Sequence, residues 1–299
     1  MLMDTRLLRT FTAVARLGSF SAAAEKLHLT QSAVSQQVAA LEAELGATLL
    51  RRRPVEPTEA GERLLRHARS ILLRLDAARL ELRRLGDTEP GALVVGASPL
   101  AMSARVALEL ATVRRRHPHL EVTFRLVARP DLAEEVASGR VDVGLVDGIA
   151  APTDPLGLPD LGMLTVAGVG EAPLAIVMPA GHPLARRAAV DLADVGDAPW
   201  IDAPSLGSLA GLRAAAGSGS FPVHLLYEGA DVRPLLELVA AGHGLALLPR
   251  AAAAAAGVVA VAVHSPRLVH RVEVLHARGL DTAAAGLVAA LAGTAARRA

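Results

Sequence analysis

The twenty residues SFSAAAEKLHLTQSAVSQQV, positions 19–38, constrain this chain more than any other stretch. They read as two short helices meeting across a tight turn. Ser21 can cap a helix from Ala22 to about Leu27, and Thr30 a longer one reaching about Leu45, with Gly46 just past its end. On the longer helix Val34, Val38, Leu41 and Leu45 recur at helical spacing and form an apolar side. Ser32, Ser35, Gln36 and Ala39 fall opposite. Hydroxyls and amides donate to and accept from base edges, and a small Ala allows close approach, so this face suits a DNA major groove. Gln31 and Ser32 occupy the first turn, where free backbone N–H groups and the helix dipole favour a phosphate. Ser and Gln are common on solvated surfaces, so each alone fits a bare helix face equally well. The ordered set points to DNA.

The flanks agree with this reading. A helix from an Asp4 cap to about Arg16 carries the stripe Leu7, Leu8, Phe11, Val14 and Ala15, and Gly18 stops it. After the reading helix, Arg51, Arg52 and Arg53 precede a proline-bounded segment. They are expected on a wing, a short β-hairpin contacting phosphate or the minor groove; the alternative is an ordinary basic turn. Thr58 can cap a helix from Glu59 to about Leu85. Along it Leu64, Ala68, Ile71, Leu75, Ala78, Leu82 and Leu85 are spaced 4-3-4-3-4-3, a heptad seam that predicts pairing with a second copy. Packing on the chain's own body is the alternative. A dimer would present two reading helices to two half-sites.

Residues 86–91 form a turn-rich break, and the charge changes sign across it. Residues 1–88 hold 14 Lys/Arg against 10 Asp/Glu, and residues 89–299 hold 17 against 20. A basic head on an acidic body suits a polyanion bound at one end. Cysteine is absent, which excludes disulfides, Cys-zinc sites and thiol nucleophiles. No export signal or membrane span is apparent, so a cytoplasmic location and no membrane partner are expected.

Beyond Gly91 the pattern alternates. Strands are expected at 92–97, 121–128 and 141–146, with helices at 99–116 and 131–138 between them, hence a parallel sheet. Frequent Pro and Gly between about Gly148 and Gly170 suggest a crossover. A second alternating unit begins at Leu174 and includes 199–202, a helix near 231–241, and strands at 245–248, 258–263 and 269–277. A last helix spans 281–296. Two α/β halves imply a cleft for a small ligand. Ser98 and Pro99 fit a helix start at a strand's carboxyl edge, either as a simple cap or as an anion site.

Enzymatic readings find little support. Ala203 to Gly207 lacks the first Gly of a nucleophile elbow. His117 and His119 have no carboxylates at metal-ligand spacing. Gly168 to Gly170 and Gly242 to Gly244 lack the third Gly of a dinucleotide loop. Ala251 to Ala256 reads as a filler helix closed by Gly257. A solute-binding protein would share the body but lack the head; an α/β enzyme would need a convergent acid, base or nucleophile set.

At this point the chain resembles the LysR-type transcriptional regulators, over essentially its whole length. The head carries Leu8-x-x-Phe11, Gly18-Ser19-Phe20-Ser21-x-Ala23-Ala24, Leu27, Gln31 to Ser35, Leu41-Glu42, Leu45-Gly46, Arg52 and Thr58-x-Ala60-Gly61. The body carries weaker matches: His117-Pro118, Gly139-x-Val141-Asp142, Gly181 to Leu184, Ala241-Gly242-x-Gly244 and Pro249. The resemblance implies an N-terminal α winged helix-turn-helix over 1–58 and a linker and dimerisation helix over 59–88. It also implies a C-terminal α/β two-lobed effector domain over 91–299, like type 2 periplasmic binding proteins. Lobe 1 would comprise about 91–163 and 266–299, and lobe 2 about 164–265.

The function so implied is a sequence-specific DNA-binding regulator, not an enzyme and without cofactor, whose promoter binding and bending respond to a small-molecule effector. Its partners would be promoter DNA, further copies of itself as a homodimer and homotetramer, and RNA polymerase. The DNA-facing residues would be Thr30, Gln31, Ser32, Ser35 and Gln36, with Arg51, Arg52 and Arg53 on the wing. The effector-facing ones would be Ser98, Pro99, Leu100, Met102, Arg129, Asp147, Ile149, Asp202 and Ser205. Two positions depart from the family pattern: Leu50 stands where Phe is usual, and Arg129 where a small polar residue is frequent. Arg129 and Ser98 are expected to take a carboxylate of the effector and Asp202 an amine, an amino-acid-like ligand. Otherwise Arg129 and Asp202 pair with each other.

Overall fold

A computed structural model of the chain describes residues 4–86, 91–152, 154–158, 164–217 and 220–293. The chain divides into two compact units, Met1–Asp87 and Thr88–Ala299.

The first unit opens with α1 (Thr5–Leu17), whose cap Asp4 accepts from Arg6 N at 2.8 Å. Next come α2 (Phe20–Leu27) and α3 (Gln31–Leu45), then a hairpin of β1 (Leu50–Arg52) and β2 (Val55–Pro57), then the long α4 (Glu59–Gly86). Helix α2 starts earlier than expected. Ser19, not Ser21, is its cap, with its side chain accepting from Ala22 N. Starting two residues earlier places Phe20 inside the helix, partly buried against the head's core. That core is Phe11, Val14, Ala23, Val34, Val38, Leu41, Leu49 and Leu50, the apolar sides of three helices closed by the first strand of the hairpin. Helix α4 packs on α1 through Leu8, Ala68 and Leu72.

The second unit begins with β3 (Ala92–Ala97), α5 (Ala104–Arg116), β4 (Glu121–Leu126), α6 (Arg129–Ala137) and β5 (Val143–Ala150). Here β3 lies parallel between β4 and β5, the βαβαβ unit read from the pattern. The sheet is not parallel throughout. The fifteen-residue β6 (Thr165–Pro179) occupies part of the expected crossover. Then follow β7 (Ala189–Val190), β8 (Trp200–Asp202), α7 (Leu209–Ala216), β9 (Val223–Leu226) and α8 (Val232–Ala240). The chain ends with β10 (Ala246–Pro249), β11 (Val258–Val263), β12 (Val269–His276) and α9 (Thr282–Ala292). Strand β12 runs antiparallel to both β5 and β6, because it returns from the second half of the unit toward the first.

Strand β6 belongs to both halves. Thr165 to Pro173 pairs with β12, and Leu174 to Pro179 pairs with β10 and β11. On one side of this change lies a core of Leu93, Val95, Val143, Leu145, Val274 and Leu287. On the other lies a core of Leu174, Ile176, Met178, Trp200, Leu209 and Leu245. There Trp200 meets Phe221 edge-on at 5.5 Å and donates from Nε1 to Val195 O at 2.9 Å.

Two further expectations are corrected. Ser98 and Pro99 do not open a helix: they start a tight turn in which Ala101 N donates to Ser98 O, and Ser103 caps α5 through Val106 N. Pro99 sits as comfortably at the second position of a turn as at a helix start. The alanine run after Arg250 makes one 3₁₀ turn, Arg250–Ala252, and no longer helix. Helix propensity alone does not hold so short a segment without an amphipathic face to bury.

Candidate functional site

In the head, α3 sets a polar face against its apolar side, with Ser35 half-buried. Gln31, Ser32, Gln36 and Ala39 are exposed along α3, while Val34, Val38 and Leu41 are fully buried beneath them. Thr30 caps the helix, its Oγ1 accepting from Ala33 N at 3.2 Å and lying 3.0 Å from Ser32 Oγ. The hairpin is pinned to α3 by Glu42, whose Oε1 accepts from Leu49 N at 2.8 Å and Leu50 N at 3.1 Å. Arg51, Arg52 and Arg53 are all exposed. Strand alternation sends Arg51 and Arg52 to opposite faces. Arg52 turns toward the helices: it donates to Ser35 Oγ at 3.3 Å, lies 3.8 Å from Glu42 and stacks 4.8 Å over Phe20. Its guanidinium thereby becomes part of the surface that α3 presents. Arg51 sits opposite Glu56 across the hairpin.

The seam of α4 is divided. Ala68 is fully buried in this chain and Leu64 partly so, both against α1 and the head core. Ala68 therefore has no surface left for a second copy, which corrects its place in the expected dimer contact. Ile71 is 39% exposed and Leu82 69%, with Leu75 and Ala78 between them accessible to differing degrees. The Leu85 side chain lies outside the described residues.

In the second unit, a cleft opens where β5 meets the second half. Arg129, Asp147, Ile149 and Ser205 border it, joined by Gly148, Leu174, Leu206, Ser208, Leu247 and His270. The space left is about 20 Å³, room for one water. Asp147 is 5% exposed and fully engaged: one carboxylate oxygen accepts from Ser98 Oγ, the other faces His270 Nε2 at 3.0 Å. Ser98 Oγ in turn accepts from Asp147 N at 2.8 Å. Ser98 thus stands behind Asp147 instead of facing the cleft. Arg129, at the first turn of α6, is half-buried and has no hydrogen-bond or ion-pair partner among the described residues.

Several expected effector residues fall elsewhere. Asp202 does not line the cleft or pair with Arg129; its Oδ1 accepts from Leu209 N at 3.1 Å, at the start of α7. Pro99 lies in the turn after β3, Leu100 packs onto the second half's core, and Met102 is 40% exposed to solvent. Sequence reasoning missed His270, Leu174 and Leu247. His270 and Asp147 are 123 positions apart, and only the pairing of β12 with β5 brings them together. No local signal announces such a partner.

Known proteins share both units. Residues 5–62 match the model of the bacterial regulatory helix-turn-helix protein, lysR family, and residues 86–296 match the LysR substrate binding domain. The Hca operon transcriptional activator HcaR of Escherichia coli (strain K12) is 31% identical over 83% of this chain and 82% of its own. The HTH-type transcriptional regulator AlsR of Bacillus subtilis (strain 168) is 29% identical over 84% and 82%. Full-length CbnR solved with its target DNA shares the fold, with a TM-score of 0.53 at 23% identity, covering 97% of this chain and 99% of CbnR.

Proposed function

The chain belongs to the LysR family, as a DNA-binding transcriptional regulator with an effector-binding domain, and from that premise we propose how it reads DNA and what it senses. Helix α3 enters the major groove with Gln31, Ser32, Ser35 and Gln36 toward base edges, and Thr30 holds its phosphate-facing end. Arg51, Arg52 and Arg53 bring the wing onto the backbone or minor groove. The observation that carries this reading is the joint surface of α3 and the wing, where Arg52 bridges Ser35 and Glu42.

Pairing through the outer part of α4, at Ile71, Leu75, Ala78 and Leu82, makes a dimer with two reading heads. A second pairing makes a homotetramer that bends promoter DNA. Exposed Leu108 on α5 and Phe124 and Leu126 on the edge strand β4 offer an apolar face for it. RNA polymerase is the further partner, and the protein acts in the cytoplasm. A small carboxylate effector enters the cleft and is received by Arg129.

A footprint of the full-length protein over DNA upstream of its own gene, at near-physiological salt, tests the DNA reading. The expected result is a long protected region with two dyad-related segments, weakened by Gln36→Ala and by Arg52→Ala. Each substitution costs about 1–3 kcal/mol of specific binding. Protection no better than on random DNA counts against it.

A further inference from the structure

We propose that the cleft selects a monocarboxylate with an uncharged, apolar body, and that Gly148 seats Arg129 to receive it. The inference rests on the cleft being the effector site.

Charge decides the ligand class. Arg129, Asp147 and His270 are the titratable side chains among the described lining residues. Asp147 is already bonded to Ser98 and His270 through both oxygens, and turning it toward a ligand would strand those buried partners. Asp202, the other carboxylate expected here, is held by Leu209 N outside the lining. A ligand ammonium would thus find no free carboxylate among the described lining residues and would lie near the Arg129 guanidinium. Arg129 has five N–H donors in a planar fork and no partner among the described residues, an arrangement matched by a bidentate carboxylate. Apart from His270, which already faces Asp147, a second carboxylate would find no cationic side chain among the described lining residues, where the hydroxyls are those of Ser205 and Ser208. The remaining wall is largely apolar, including Ile149, Leu174, Pro204, Leu206, Leu247 and Pro249, and it stabilises a body without charge. With room for one water between the walls, the ligand separates the two halves as it enters.

Gly148 sets where the guanidinium lies. A Cβ at this position would stand 2.7 Å from Arg129 Nη1 and 2.9 Å from its Cζ. The guanidinium therefore rests on bare backbone of β5 at Gly148, on the face of the strand opposite to the Asp147 and Ile149 side chains. Because the group in the way is the far end of a flexible side chain, an alanine displaces Arg129 while the fold stays intact.

Calorimetric titration of the full-length protein tests both parts. The probes are butanoate and phenylacetate, each compared with its 2-amino derivative and its amide. At least one acid should bind about tenfold or more tighter than both of its counterparts, the discrimination given by a charge-assisted bidentate contact. Arg129→Gln and Gly148→Ala should each weaken that acid by about tenfold, and the double variant should be no weaker than Arg129→Gln alone. Thermal midpoints should stay at the parent value. Binding of neither acid, or equal binding of an amide or amino acid, overturns the ligand class. Parent affinity in Gly148→Ala, with loss in Arg129→Gln, overturns the seat. Footprints separate these failures from failure of the regulator reading: operator protection by the parent protein leaves that reading standing when the acids fail.

Discussion

Single residues in the head are bound by close approach as much as by burial. Gly61, in the first turn of α4, would place a Cβ 2.1 Å from the carbonyl oxygen of Leu49. That oxygen also accepts from Thr58 N at 2.9 Å, so the backbone there cannot retreat freely. Gly61→Ala should destabilise the protein by about 1–3 kcal/mol, as overpacking does, and should loosen the wing. Urea unfolding checks this, and an unchanged midpoint would show that the hairpin yields. The caps teach a related lesson. Ser19 and Ser21 are equally good capping residues on paper, as are Ser98 and Ser103. Ser98 is withdrawn from capping because Asp147, from a distant strand, takes its hydroxyl. A residue's local aptitude was legible in both cases; which of two apt residues is used depends on partners far away in the chain.

Elements hold one another at their ends. The Ala-rich α9 is capped at its start by Asp281, which accepts from Ala284 N at 2.7 Å. At its other end Arg105 of α5 donates to the carbonyls of Ala290 at 3.0 Å and Leu291 at 2.6 Å, and also to Val169 O at 2.6 Å. A cation at a helix C-terminus satisfies carbonyls that the helix itself cannot. Arg105→Ala should cost about 1–3 kcal/mol. It should also speed hydrogen exchange in the last turn of α9; unaltered exchange there would count against the role. Along α4 the heptad seam was legible as a period, but the period did not say which copies of the seam face which partner. Its first positions pack on α1 of the same chain, and the proposed pairing with a second copy falls to Ile71 to Leu82. Ile71→Glu places a charge at an exposed position and should leave the single chain folded while splitting the dimer, as sedimentation velocity would read. An intact dimer would move the interface elsewhere.

For the whole molecule, charge is unevenly divided, and DNA affinity should follow the head. Each phosphate neutralised by an Arg releases counterions, so affinity falls linearly with salt on logarithmic axes. Arg51→Ala should reduce that slope by about 1 while weakening binding to all sequences alike. Anisotropy titrations across a range of salt measure it, and an unchanged slope means that Arg51 does not touch phosphate. At this scale the alternation of strand and helix announced two α/β halves. It did not announce that β6 serves both of them, nor that β12 runs against its neighbours, because strand direction depends on where the chain returns from.

What depends on neighbours a few positions apart was legible from the residues alone: the helices of the head, the opposed faces of α3, the basic wing, the long α4 and the βαβαβ opening of the body. These follow from periodicity, capping and turn chemistry, all local physics. The cleft came from contacts between segments far apart in the chain. The tertiary structure joined Ser98, just past β3, to Asp147 of β5 and His270 of β12, assigned Asp202 to α7, and left Arg129 over Gly148 without a partner among the described residues. The physical reason is that a buried polar group takes whichever partner the fold brings within reach, and sequence distance carries no information about that reach.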